Sequence, residues 1–390
     1  MMGQDFVNYL REQALRHPSM MPQDAVKLCF QVAFGVEHLL TERNAAMGYL
    51  QKEYSQTPAQ DMAVFEPISD EYVRCNLAAW KSRELPLEWL FEMFWQSADL
   101  EEDAGLEGKS KCSEALFMKY LDSVGRCVEE GLLPFDKLAW LSFKERYLSL
   151  GGGEPQPVHH SEEYRNQECP AYRVIKKKYS LVFPVLEKAS ALLEALRASK
   201  TEAEAKGQGQ GQAQAQAQAQ APIIIAIDGR AAAGKSTMAT ILSAVLKADL
   251  IHMDDFFLPP ELRAAERFAE AGGNVHYERF CLEVLPFLKN RAGFSYRTFD
   301  CSIMDYGKSR FVQSEAWRIV EGSYSCHPKF GDYADLRVFC DITPEKQMQR
   351  IKKRNGDAMA RVFKEKWIPL EEQYLVSAQI KEKADIIMAD

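Results

Sequence analysis

The octet Gly229-Arg230-Ala231-Ala232-Ala233-Gly234-Lys235-Ser236 fits G-x-x-x-x-G-K-[ST] at every position. An unbroken apolar run, Ile223 to Ile227, leads into it. Ser236-Thr237-Met238-Ala239-Thr240-Ile241-Leu242 leads out with the pattern of an amphipathic helix. A buried strand, a loop of small residues and a helix, in that order, call for a parallel α/β arrangement around the loop. Chemistry explains the spacing. Small side chains let successive backbone N–H groups close around a triphosphate tail, and the following helix turns its positive end towards it. The expected nucleotide contacts are Gly229, Arg230, Ala231, Ala232, Ala233, Gly234, Lys235, Ser236 and Thr237. Lys235 is expected to reach the β- and γ-phosphates, and the Ser236 hydroxyl to ligate Mg²⁺.

The rest of residues 222–390 keeps the same alternation. Candidate strands are Ile223–Asp228, Leu250–Met253, Tyr296–Asp300, Arg318–Glu321, Leu336–Ile342 and Asp385–Met388. Helical stretches fall between most of them, notably Lys235–Leu246, Glu278–Leu288 and Pro344–Arg354. This pattern predicts a parallel sheet with helices on both faces. Upstream, residues 199–221 turn into a Gly/Gln/Ala tract with no large apolar side chain to offset the entropy of ordering. Ala and Gln are also good helix formers and can extend the preceding helix. Either way the tract is a tether. Residues 1–198 read as an all-α domain, with helical patterns over Pro22–Leu40, Leu87–Ala98, Ser113–Val128 and Ser180–Ser199. The first of these is apolar almost all round, which predicts a buried central helix.

Composition removes several function classes. A formal charge of −8 opposes a nucleic-acid surface. No apolar run reaches the ~18 residues that span a bilayer, and Met1-Met2-Gly3-Gln4-Asp5 has neither the basic start nor the apolar core of a signal peptide. Nine scattered cysteines without a CxxC pair suggest neither a disulfide framework nor a zinc knuckle. Reduced thiols in a cytoplasmic protein are expected.

No guanine-reading N-K-x-D occurs, which disfavours a GTPase. The second strand ends in Met253-Asp254-Asp255-Phe256-Phe257, two carboxylates where an acceptor hydroxyl would meet the γ-phosphate. With the P-loop, Asn274-Val275-His276, Tyr296-Arg297-Thr298-Phe299-Asp300 and Ile319-Val320-Glu321-Gly322, the segment from Ile223 to Asp390 resembles the uridine kinase and phosphoribulokinase family of P-loop kinases. The resemblance implies a kinase using ATP and Mg²⁺ on a hydroxyl of a small molecule. It puts Asp254 at the catalytic base, Tyr296 beside the nucleoside, Asp255 on the substrate side, and Glu321 near Mg²⁺, through water. Where uridine kinases carry N-F-D-H-P, this chain has Asn274-Val275-His276-Tyr277-Glu278. His276 thus replaces an Asp that grips the ribose hydroxyls, and a neutral imidazole cannot offer two acceptor oxygens to a diol.

Thr343-Pro344-Glu345 is a helix start, and Lys346, Arg350, Lys353 and Arg354 then share one face. The family places a lid here. Arg354 is then the expected partner of the transferring phosphoryl group, Arg361 a substrate contact and Gly356 a hinge. The N-terminal half offers less chemistry. Glu37, His38 and a histidine of the His159-His160 loop could form a metal site, but nothing in the spacing demands it, and a satisfied buried histidine plus a polar loop is the favoured reading. Two rival functions are a regulatory ATP-binding module with a helical partner-binding domain, and a bifunctional enzyme with a second activity in the N-terminal half.

Overall fold

The computed structural model describes residues 2–36, 42–98, 106–151, 154–205, 221–300, 302–313 and 315–389. They fall into two compact units, Met1–Leu181 and Val182–Asp390.

The first unit is helical. Its main helices are Met2–Arg16, Pro22–Phe34, Arg43–Gln56, Leu87–Gln96, Leu106–Glu129 and Lys137–Leu150. The helix Pro22–Phe34 is buried nearly all round, with Ala25, Val26, Leu28 and Cys29 at 0% exposure. It stops short of the expected Leu40 because Gly35 takes φ +60° with ψ −133°, a conformation that glycine adopts far more readily than other residues. An added Cβ there would lie 2.6 Å from Tyr72 Oη. Glu37 and His38 lie outside the described residues, and with them the sequence-based metal site. The unit also holds a small antiparallel sheet of β1 (Phe65–Pro67), β2 (Tyr72–Asn76) and β3 (Tyr172–Lys176). Strands of three to five residues with charged members leave too little alternation to stand out in the sequence.

The second unit opens with the helix Phe183–Ala205, alongside the later strand Leu336–Asp341. The boundary between compact units therefore lies upstream of the Gly/Gln/Ala tract, whose residues 206–220 are outside those described. The strands are β4 (Ile223–Gly229), β5 (Asp249–His252), β6 (Phe294–Asp300), β7 (Asp305–Val312), β8 (Trp317–Glu321), β9 (Leu336–Asp341) and β10 (Ile386–Ala389). Five form one parallel sheet in the order β10-β9-β4-β8-β5. β4 is central and buried along its whole length, as the Ile run requires.

One expected strand belongs elsewhere. β6 pairs antiparallel with β7 as a separate hairpin. Its Phe294, Tyr296 and Phe299 are buried while Ser295, Arg297 and Asp300 are exposed. That alternation suits a half-covered antiparallel pair rather than a strand buried on both faces. The parallel strands all end on one side, and the P-loop leaves β4 there, at the edge where open α/β sheets bind ligands.

Candidate nucleotide and acceptor site

The loop after β4 is shaped by backbone constraints. Gly229 has φ +131°, and an added Cβ would sit 2.1 Å from the Cys340 carbonyl oxygen of β9. Gly234 has φ +93°, and Ala232 is also left-handed at +61°. Behind the loop, Asp228 is 1% exposed and accepts from Gly229 N–H at 2.7 Å, Cys326 N–H at 2.9 Å and the Tyr374 hydroxyl at 2.7 Å. Burial raises its pKa despite these donors.

Lys235 Nζ lies along the loop, donating to the Gly229 carbonyl at 2.7 Å, the Arg230 carbonyl at 2.9 Å and Ser323 Oγ at 3.1 Å. A cation held over carbonyls and beside the loop N–H groups is placed to receive a phosphate. Arg230 turns away instead, donating twice to Glu372, at 2.7 and 2.9 Å, and also to Asp341. Its side chain braces the loop through ion pairs, and those with Glu372 hold its pKa up.

Ser236, Glu321, His252 and Asp254 meet at the carboxyl ends of β5 and β8. Ser236 Oγ donates to Glu321 Oε2 at 3.1 Å, and His252 Nδ1 lies 2.5 Å from Glu321 Oε1. The hydroxyl and carboxylate oxygens are hard donors of the kind Mg²⁺ takes, so Ser236 and Glu321 fit the ion that the fold implies. Asp254 is exposed just past the carboxyl end of β5. Desolvation by the surrounding protein, and then the charge of Glu321, raise its pKa. A carboxylate whose proton affinity is raised makes a better base.

Asp255, by contrast, is 8% exposed and already engaged. Tyr296 Oη donates to its Oδ2 at 2.9 Å, and an Arg310 Nη stands 3.4 Å from the same oxygen. Tyr296 is 2% exposed and stacks on Phe256, with ring centroids 5.3 Å apart. Burial, then the Asp255 charge, raise its pKa. His276 is half-buried. Its backbone N–H donates to the Phe256 carbonyl at 2.7 Å, and burial and then Arg279 lower its pKa.

The helix Pro344–Val362 begins as expected, with Thr343 Oγ1 accepting from Lys346 N–H at 3.4 Å. It continues beyond its predicted end after a break at Gly356, where φ is +78°. Arg350 and Gln347 reach the P-loop, donating to the Ala232 carbonyl at 3.1 Å and the Ala231 carbonyl at 3.2 Å. Arg354 donates to its neighbour Asn355 at 2.8 Å, and Arg361 is exposed beside Lys352 and Asp357. Neither contacts the loop among the described residues.

Sequence reasoning missed the support from the C-terminal helix Ile368–Ser377. Glu371, 4% exposed, accepts from the Ala231 N–H at 2.9 Å and the Ser323 hydroxyl at 2.7 Å. Burial raises its pKa. Glu371-Glu372 looks like an ordinary polar helix segment, so no sequence signal marks it. Only the fold brings it under a loop some 140 residues away.

The parallel sheet, the P-loop at its carboxyl edge and the basic helix against that loop define a kinase-like α/β P-loop fold. No family model matches the sequence, and no curated protein matches it. Among solved structures, the chain is similar to a possible uridine kinase from Bacillus stearothermophilus. The identity is 20% and the TM-score 0.34, over 43% of this chain and 89% of that one. It is also similar to a fructose transport system kinase candidate from Silicibacter sp., at 21% identity and TM-score 0.37, over 43% and 89%. A third is D-glycerate 3-kinase from Cryptococcus neoformans, at 13% identity and TM-score 0.30, over 47% and 87%. Among the described residues, no helix is long and apolar enough to cross a membrane.

Proposed function

We propose that the second unit is an ATP- and Mg²⁺-dependent phosphotransferase whose acceptor is a hydroxyl of a small molecule. The observation that carries this reading is the convergence of Lys235, Ser236, Glu321 and Asp254 on one edge of the sheet. A binding module needs the first three. It has no use for an exposed carboxylate beside them whose proton affinity is raised.

Lys235 and the loop N–H groups hold the β- and γ-phosphates. Ser236 and Glu321 hold Mg²⁺, which would neutralise charge on the phosphates. Asp254 orients the acceptor hydroxyl and takes its proton while the acceptor oxygen bonds to the γ-phosphorus. The bond from that phosphorus to the bridging oxygen breaks, and ADP leaves. Arg350, already on the loop, is the lid cation nearest the phosphates, ahead of Arg354 and Arg361. The test is ADP release by the full chain across a panel of hydroxyl compounds. Lys235→Ala should abolish it, because the phosphates lose their ammonium contact. Unchanged ADP release in that variant would exclude this loop as the active site.

A further inference from the structure

β8 runs beside β4 and ends at Glu321. Gly322 follows with φ +130°, where an added Cβ would lie 2.8 Å from Met253 Cβ. Its N–H donates to the Ile227 carbonyl at 3.0 Å, which ties the turn to the strand that leads into the P-loop. Ser323 is thereby set 3.1 Å from Lys235 Nζ. The helix Ile368–Ser377 supplies a second group. Glu371 Oε1 is 2.7 Å from Ser323 Oγ, and its Oε2 accepts from the Ala231 N–H at 2.9 Å.

What each group can donate fixes the order of protons. An ammonium only donates and a carboxylate only accepts, so the single Ser323 proton points to Glu371 and the hydroxyl oxygen faces Lys235. The Gly229 carbonyl, 3.4 Å from Ser323 Oγ, is a much poorer acceptor for that proton. With the Gly229 and Arg230 carbonyls, Ser323 gives the three N–H bonds of Lys235 three partners. Glu371 must accept on both of its oxygens, from the loop on one and from the hydroxyl on the other. A glutamine accepts on one only, and its amide nitrogen would face a donor or turn the hydroxyl round. Lys235 is 8% exposed and Glu371 4%, so little water can stand in for either partner. Burial raises the Glu371 pKa, and the nearby Lys235 charge opposes that rise.

We propose that Glu371 and Ser323 are positioning residues of the nucleotide site: through the Ser323 hydroxyl, the Glu371 carboxylate holds the Lys235 ammonium where the β- and γ-phosphates are received. This inference rests on the phosphotransferase reading above. Both residues act through Lys235 rather than on the nucleotide. A lysine side chain has much rotamer freedom to lose, and fixing it during folding removes that cost from binding.

The experiment titrates the full chain calorimetrically with Mg²⁺ and a non-hydrolysable ATP analogue. Ser323→Ala and Glu371→Gln should each weaken binding by about tenfold or more. Ser323→Ala removes one oxygen and leaves the contact of Glu371 to Ala231, so its nucleotide-free melting midpoint should stay within about 3 °C of wild type. Lys235→Ala separates positioning from general support. In that background Ser323→Ala should change affinity by less than about twofold, because the group it holds is gone. An equal loss in both backgrounds, or wild-type affinity in Ser323→Ala, overturns the proposal. A second measurement needs no nucleotide. Acetic anhydride labelling of Lys235, followed by mass spectrometry against the exposed lysines, should be faster in both variants than in wild type. Unchanged labelling in both also overturns it. Failure of the phosphotransferase reading looks different: wild type would not bind the analogue, or Lys235→Ala would bind it as tightly as wild type.

Discussion

Gly229 and Gly234 are both glycines of the P-loop motif, yet they are required for different reasons. At Gly229 a side chain would strike the backbone of β9, 2.1 Å from the Cys340 carbonyl. At Gly234 nothing lies within 4 Å, and only the positive φ is unfavourable. Gly234→Ala should therefore cost about 1–3 kcal/mol and leave a foldable loop. Gly229→Ala should displace β4 from β9. Thermal unfolding with and without ATP checks the pair: a larger Tm loss and no nucleotide-induced shift are expected for Gly229→Ala alone. Asp254→Asn keeps the shape and removes the base. Turnover should fall by about 10²–10⁴-fold, with ATP affinity nearly unchanged. If Asp255→Asn does the greater damage, the base is the next residue along. The buried place of Asp255 under Tyr296 argues against that outcome. The sequence identified the motif glycines and the Asp-Asp pair, but which Asp is exposed and which is buried depended on the turn after β5.

Among the elements, the antiparallel sheet of the first unit carries a charged core that a purely helical reading did not foresee. Arg74 of β2, 4% exposed, donates to Gln13 at 2.6 Å, Gln31 at 3.0 Å and Glu66 at 3.2 Å. His17 bridges Glu168 at 3.1 Å and Glu66 at 3.2 Å. His160 bridges Asp24 at 2.7 Å and the Tyr172 hydroxyl at 2.6 Å. The two histidines titrate in opposite senses. Burial would lower the pKa of His17, but Glu66 and Glu168 outweigh it and raise the value. Burial dominates at His160 and lowers it to about 4. A raised histidine stabilises the fold below its unfolded pKa, and that gain is lost as pH rises through the folded value. A lowered one stabilises above its unfolded pKa, with loss as pH falls. His17→Gln should thus be most damaging below pH ~6.5 and least at alkaline pH. His160→Gln should flatten the acid slope, worth about 3 kcal/mol in wild type between pH ~6.5 and ~4. Glu66, held down at about 2 by His17 and Arg74 against its burial, contributes fully above pH ~4.5 and loses that contribution as pH falls from there towards 2. Denaturant titrations at several pH values check both signs; parallel curves for the two variants would contradict the assignment.

Over the whole molecule, two compact units meet at Leu181 and Val182, some 25 residues before the tract 206–220. A chain starting at Val182 should unfold cooperatively at a higher midpoint than one starting at Pro222. The latter lacks Val185, Leu186 and Ala189, each 0% exposed. Limited proteolysis of the full chain should cut first within Gly207–Ala221, where no apolar anchor opposes opening. Early cuts elsewhere would count against that tract as the tether. The sequence by itself determined the parallel strands, the P-loop and the start of the basic helix. Each is a local pattern: an Ile run, a glycine spacing, a Thr-Pro-Glu cap. Tertiary structure alone decided three other things. It put β6 in a separate hairpin, because the partner β7 is polar and exposed and announces itself poorly. It brought Glu371, Glu372 and Tyr374 under a loop about 140 residues away. It also set Arg279, Arg297 and Arg310 around Asp255 and Glu283, a balance of charge that no single segment contains. Periodicity and capping act over a few residues and are written along the chain. Charge pairing across elements acts over a few ångströms, and those distances exist only once the chain has folded.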